Sequence, residues 1–258
     1  MKKRRLITIP MSHYCEKARW GLERLNLDYH EERHLQVFHY PRTYWVSRGP
    51  QVPVLIDDRE VISDSTAILK YLDRYAEEES RLYPAEPDLR RQVESLEELF
   101  DTELGVESRR WVYYHMLSRP WTGFSTAAQG APLYEKLLTP IFYPFMGWLI
   151  VHKLKVCSSR VAAGIARSRE IVRQIDDQLS DGRRYLIGER FTAADLSLGC
   201  MLAPFVLPPN YGIRLPNPET LPTSMARDVN AFRQTRTGQY VQRLFETERR
   251  FIAVKSNS

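Results

Sequence analysis

Pro10-Met11-Ser12-His13-Tyr14-Cys15-Glu16-Lys17-Ala18-Arg19 carries the first architectural commitment of this chain. It follows a short apolar run, Leu6-Ile7-Thr8-Ile9, which reads as a strand. A helix is expected to open near Cys15, because Ala18, Leu22 and Leu25 recur at spacings of four and three. A strand that turns straight into a helix presents backbone N–H groups lacking intrahelical acceptors, at the positive end of the helix dipole. An anion is stabilised there, and the hydroxyl of Ser12 can donate a hydrogen bond to it. The junction therefore suits a thiolate. A serine at a turn also serves as a plain N-cap, so this segment alone leaves both roles open.

Two later segments add weight. Gln51-Val52-Pro53-Val54-Leu55-Ile56 reads as a strand entered through a proline, whose bond can be cis. Val61-Ile62-Ser63-Asp64-Ser65-Thr66-Ala67-Ile68 reads as a short strand, a turn and a helix start. Asp64 or Ser65 falls at the cap, and Ile68, Leu72 and Tyr75 are expected to form the buried stripe. Near the other end stands Gly188-Glu189-Arg190-Phe191-Thr192-Ala193-Ala194-Asp195-Leu196. Thr192 with Asp195 three residues on is close to a capping box, and Phe191 and Leu196 occupy the staple positions.

In this order the pieces resemble the cytosolic glutathione transferase superfamily, in its serine-type, bacterial-like form. The resemblance covers residues 5–78 and 185–206 well and 100–160 poorly. It implies an α/β thioredoxin-like domain at 1–78, which binds glutathione, and an all-helical domain at 88–258, which supplies a hydrophobic co-substrate site. It implies Ser12 as the thiolate stabiliser, in the place where relatives carry a nucleophilic cysteine. Glutathione is then a co-substrate; no permanently bound cofactor and no metal is needed. Val52 would pair its backbone with the cysteinyl part of glutathione beside a cis Pro53. Asp64 would accept from the γ-glutamyl ammonium, Ser65 would hold the γ-glutamyl carboxylate, and Gln51 would lie near the glycyl carboxylate. Simple helix capping is the alternative for Asp64 and Ser65. The approach Ser47-Arg48-Gly49-Pro50-Gln51-Val52-Pro53 departs from the family's Asn-Pro-x-Gly-x-Val-Pro, which leaves the glycyl contacts open to His39 or Arg48.

The co-substrate site is expected among Tyr14, Arg110, Tyr113 and Tyr114, with Arg109, Trp111, Val112, His115 and Trp121 as further candidates. Core packing is the other explanation for these aromatics. Cys15 is read as a buried thiol or, at a helix start, a reactive one. His13 faces either the pocket mouth or solvent. The resemblance further implies a cytoplasmic, homodimeric detoxification enzyme acting on a small hydrophobic electrophile. The competing function is a non-catalytic or membrane-associated binding or regulatory protein on the same scaffold, since fold does not settle activity.

Composition agrees with an ordinary globular chain: 258 residues, 43% hydrophobic and 27% charged, enough for a core without staples. Three cysteines far apart exclude a disulfide framework and a C-x-x-C zinc site, and suit a reducing compartment. The basic start, Lys2-Lys3-Arg4-Arg5, is followed by too few apolar residues before His13, Glu16 and Lys17 for a secretory signal. Net charge is +5, and all of the excess lies beyond residue 80. That favours small anions or an acidic surface. Without basic blocks it does not support a nucleic-acid partner.

Tyr83-Pro84-Ala85-Glu86-Pro87 reads as the linker, with helices expected from Asp88, across Ile165–Leu179, and over 228–252. Residues 133–156 stand apart. Their uncharged run from Leu137 to Val151 is shorter than a bilayer span, and Pro140 and Pro144 are expected to break it. A buried, kinked helix is one reading; weak membrane contact or a partner-binding face is the other.

Overall fold

β1 (Arg4–Thr8) is the hub of a four-stranded sheet ordered β2-β1-β3-β4. The computed structural model describes residues 4–58, 60–118 and 120–249, apart from the side chains at 118 and 120–122. β1 runs parallel to β2 (Tyr29–Arg33), with Leu6 beside Glu31. On its other side it runs antiparallel to β3 (Val54–Asp57), with Leu6 beside Leu55; β3 then pairs antiparallel with β4 (Glu60–Ser63). The parallel pair requires a crossover, and α1 (His13–Arg24) supplies it. Leu6, Ala18, Leu22, Leu55, Ile68 and Leu72 bury together between the sheet and the pair α1 and α3 (Ser65–Asp73). α2 (Tyr40–Ser47) leads into the Val52–Pro53 peptide, which is cis.

The third helix stops at Asp73, earlier than its sequence stripe implies. The Asp73 carboxylate accepts the Leu82 N–H at 2.6 Å, which turns the chain away. Tyr75 therefore lies outside the helix and is exposed; Tyr71 is buried instead, its hydroxyl on Asp57.

The second layer is helical. α4 (Pro87–Leu99) passes through a π-helical turn, Phe100–Leu104, into α5 (Gly105–Ser118). α6 (Pro120–Ala127), α7 (Leu133–Leu154) and α8 (Ser158–Gln178) follow. α9 (Ala193–Val206) is buried nearly all round, as an apolar helix without a polar face must be. Its first turn carries the capping box, with the Thr192 N–H on Asp195 at 2.7 Å. α10 (Thr223–Arg233) and α11 (Arg236–Thr247) close the bundle. The architecture is a thioredoxin-like α/β unit joined to an all-helical unit.

α1 belongs to both layers. One side packs on the sheet; the other sends Trp20 into the helical core beside Phe191 and Phe245. Gly199 of α9 makes this possible, since a Cβ there would come within 3.1 Å of the indole. Below Trp20 sits a buried polar knot. Lys17 Nζ lies 2.7 Å from Glu97 and 2.6 Å from Asp101, and donates to Thr66 at 2.8 Å. The Tyr83 hydroxyl completes it on Glu97 at 2.9 Å. Burial opposes the Lys17 charge, but the two carboxylates outweigh it and raise its pKa.

α7 corrects the expectation of a broken, buried helix. It runs unbroken through Pro140 and Pro144. The two prolines are four apart and both exposed, so the carbonyls they leave unbonded sit on one solvent-facing side. Only a narrow edge is buried: Glu135, Thr139, Met146 and Ile150. Glu135 fixes the start of the helix by accepting from His34 at 2.6 Å and from the Leu35 N–H at 2.7 Å. Ile141 is 72% and Trp148 55% exposed. By length and composition alone α7 could cross a membrane.

Candidate active site

Ser12 is the N-cap of α1, and its hydroxyl oxygen accepts from the Cys15 N–H at 3.3 Å. That bond uses a lone pair and leaves the hydroxyl proton able to donate. The turn beneath it is pinned from inside. The Arg19 guanidinium donates to the carbonyls of Pro10 at 3.0 Å and Ile9 at 3.4 Å. Glu31 at 2.6 Å and Glu16 at 3.0 Å hold Arg19 itself, which is buried. Although burial works against the charge, Arg19 and Arg33 keep Glu31 ionised, with a pKa of about 2.

Cys15 points away from this mouth. It is buried, accepts from the Ile9 N–H at 3.5 Å, and burial pushes its thiol up. Of the two readings the sequence allows, the structure has the buried thiol. His13 is likewise buried rather than solvated, with Nε2 3.0 Å from the Gly105 carbonyl. Burial, and then Arg109, push its pKa down to about 3, so the neutral ring donates to that carbonyl. The Tyr14 hydroxyl donates to the Asp101 carbonyl at 2.6 Å, and burial raises its pKa to about 12. Its proton is therefore already committed, unlike that of Ser12.

The opposite lip is the turn into β3. Gln51 and Val52 line the cavity, and Pro53, across the cis bond, does not. Asp64 caps α3, accepting from the Ala67 N–H at 3.0 Å, with its own backbone at φ 82°. Its N–H reaches the Pro53 carbonyl at 3.3 Å, which ties the cap to the cis turn. Ser65 is buried, and among the described residues its hydroxyl oxygen has no hydrogen-bond partner. Asp64 and Ser65 do not line the cavity between the layers.

That cavity holds about 420 Å³. Ser12, Tyr14, Gln51 and Val52 form its floor, with His39 beside them. α5 contributes Arg109, Val112, Tyr113 and Met116, a stripe at helical spacing. Leu149 and Ile150 of α7, Pro204 of α9 and Met225 of α10 close the far side. Arg110 and Tyr114 are not on the wall. Arg110 donates to the Leu154 carbonyl at 2.9 Å and pairs with Glu107. Tyr114 packs its ring against His115 and is partly exposed. Arg48 is exposed and off the cavity, and the Trp121 side chain lies outside the described residues.

Family models for the glutathione S-transferase N-terminal domain and C-terminal domain match residues 6–80 and 159–223. This chain is a member of the glutathione S-transferase superfamily. Solved structures agree on the fold. A glutathione S-transferase from Rhodospirillum rubrum is 21% identical over 97% of this chain and 94% of that one, with a TM-score of 0.59. A theta class glutathione S-transferase from Xanthomonas axonopodis pv. citri, solved with glutathione bound, is 19% identical over 93% and 96%, with a TM-score of 0.57. FzlA from C. crescentus is 17% identical over 93% and 91%, with a TM-score of 0.58. No curated protein matches by sequence.

In this glutathione S-transferase one candidate could not be told from its neighbour by sequence, and two features carried no sequence signal. Arg109 and Arg110 are adjacent, and only the shared face of Arg109, Val112, Tyr113 and Met116 tells them apart. Arg19 looks like a surface charge on a helix but holds the Ser12 turn. The wall from Leu207 to Met225 lies in a proline-bearing stretch with no periodic signal.

Proposed function

We propose that the protein is a serine-assisted glutathione transferase. The observation that carries this is Ser12: its hydroxyl stands at the N-terminus of α1, opens into the cavity, and keeps a proton to donate. The glutathione thiolate lies there, held by that hydroxyl and by the N–H groups of His13 and Tyr14, which as the first two of the helix lack intrahelical acceptors. The backbone of Val52 pairs with the cysteinyl part of glutathione as a short added strand. Ser65, with its unpartnered buried oxygen, receives the γ-glutamyl carboxylate at the start of α3. Asp64 takes the ammonium, and Gln51 the glycyl end.

The thiolate then attacks an electrophilic carbon of a small hydrophobic co-substrate in the cavity. An S–C bond forms, and a leaving group departs or a proton is taken up. Residues 1–78 hold glutathione and 88–258 the co-substrate. A homodimer in the cytoplasm accords with the resemblance and with three unpaired cysteines. The test is conjugation to a generic chloronitrobenzene by wild type and Ser12→Ala, with glutathione binding followed by calorimetry. Absence of binding to the wild type would sink the transferase reading.

A second reading concerns α7. Its outer face is apolar and uncharged from Leu137 to Val151, with Tyr134 and Lys136 at one end and Trp148, His152 and Lys155 at the other. Aromatics and cations at the ends of an apolar face match the layering of a lipid interface. We infer peripheral membrane contact through this helix, compatible with the enzymatic role.

A further inference from the structure

Among the described residues, the cavity wall carries two cationic side chains, Arg109 and Lys153, and no carboxylate. Among the described residues, Arg109 makes no ion pair and its buried Nε has no hydrogen-bond partner. Its guanidinium carbon sits 5.6 Å from the centroid of the Tyr14 ring. A buried N–H of a cation left without an acceptor is costly, and an acceptor bound in the cavity would relieve that cost. Lys153 stands further out, donating to the Tyr40 hydroxyl at 3.3 Å with its ammonium over that ring.

The neighbouring groups leave the field to these two. Burial keeps the wall imidazoles neutral at pH 7: His13 and His39 fall to about 3 and 4, and His115 is lowered as well. Burial likewise keeps Tyr113 a neutral phenol, pushed up to about 12. The carboxylates of glutathione do not need Arg109, because the transferase reading seats them at Ser65 and Gln51, on the opposite lip. Met11, Val112, Met116, Leu149 and Ile150 supply an apolar stretch of the same wall.

We propose that the second substrate is an apolar electrophile bearing an anionic group, a carboxylate or sulfonate, which Arg109 binds while the reactive carbon faces Ser12. Arg109 is then the specificity-determining residue, and Lys153 raises the local concentration of anions at the mouth. The proposal rests on the transferase reading for its chemistry but not for its binding.

The test uses a matched pair, a chlorodinitrobenzoate and its methyl ester. In each the thiolate sulfur attacks the chlorinated ring carbon, the S–C bond forms, and the C–Cl bond breaks with its electron pair leaving as chloride. Unreactive amino analogues of the same pair report binding alone by calorimetry. The wild type is expected to bind the amino-carboxylate at least about tenfold more tightly than its ester, the scale of one charge-assisted contact. Arg109→Gln removes that preference, Arg109→Lys keeps part of it, and Lys153→Gln changes it less than about threefold. Equal binding of acid and ester by the wild type overturns the proposal, whether or not Arg109→Gln folds. So does a preference that survives in a folded Arg109→Gln protein. Preference in binding without conjugation of either chloro compound would defeat the transferase reading and leave the anion site standing. Conjugation of both without preference would do the reverse.

Discussion

Removing the hydroxyl of Ser12 tests two roles at once, and they separate by magnitude. A free cysteine thiol has a pKa of about 8.5, so only a few per cent is thiolate at neutral pH. A hydrogen bond to a charged acceptor contributes about 1.5–3 kcal/mol, and one pKa unit is about 1.4 kcal/mol. Ser12→Ala should therefore raise the pKa of bound glutathione by about one to two units and, through the lost thiolate fraction, slow conjugation at pH 7 by roughly 8–25-fold. The same change removes the acceptor for the Cys15 N–H, which costs about 0.5–2 kcal/mol of stability. Ser12→Asn restores an N-cap acceptor without restoring the hydroxyl. It should recover the urea midpoint and not the rate. The assay is the pH dependence of kcat/KM, beside thiolate absorbance of the bound complex and calorimetric binding. An unchanged apparent pKa in a Ser12→Ala protein that still binds glutathione would refute the assignment.

Other outcomes follow from neighbouring parts of the structure. Gly105→Ala would gain about 1 kcal/mol of helix propensity in isolation. Its Cβ would, however, lie 2.7 Å from the Tyr14 hydroxyl and 2.5 Å from Met201 Sδ, so a net loss of up to about 2 kcal/mol is expected by thermal melting. His13 titrates near 3 when folded and near its ordinary 6.5 when unfolded. Between those values the unfolded chain binds more protons, so stability falls as pH falls, by about 2 kcal/mol at pH 5. His13→Gln should shrink the difference in urea stability between pH 7.5 and 5 by that amount; an unchanged difference would count against the buried neutral ring. On α7, Ile141→Glu with Phe145→Glu should cut co-sedimentation with anionic vesicles at least about tenfold while leaving conjugation unchanged. Vesicle binding that survives both charges rules the helix out as the contact.

The fold was legible where local rules and tertiary packing agree. Ser12, Asp64 and Thr192 sit at helix starts in the sequence and cap those helices in the structure. The Val52–Pro53 turn and the buried stripe of Ala18, Leu22, Ile68 and Leu72 were visible for the same reason. Tyr75 failed because the helix ends on a long-range bond, from Leu82 to Asp73, that periodicity does not see. Whether α7 is buried stayed open in the sequence because composition says apolar but not what covers it. Arg109 and Arg110 differ by one residue in sequence and by about 100° around the helix, which only the packed neighbours reveal. Lys17 and Arg19 carry charge on what looks like a solvent face, and both are buried by partners drawn from distant segments.

The knot of Lys17, Thr66, Glu97, Asp101 and Tyr83 makes the two halves a poor kit of interchangeable parts. Lys17 and Thr66 come from the thioredoxin-like half; Tyr83, Glu97 and Asp101 come from the linker and the helical half. A chimera that joins either half to a foreign partner strands an unpaired ion in the seam, at a cost of about 3–5 kcal/mol. Substrate range in this lineage can drift freely through the cavity wall on α5, α7 and α10, whereas recombination across the seam carries a penalty from the first step.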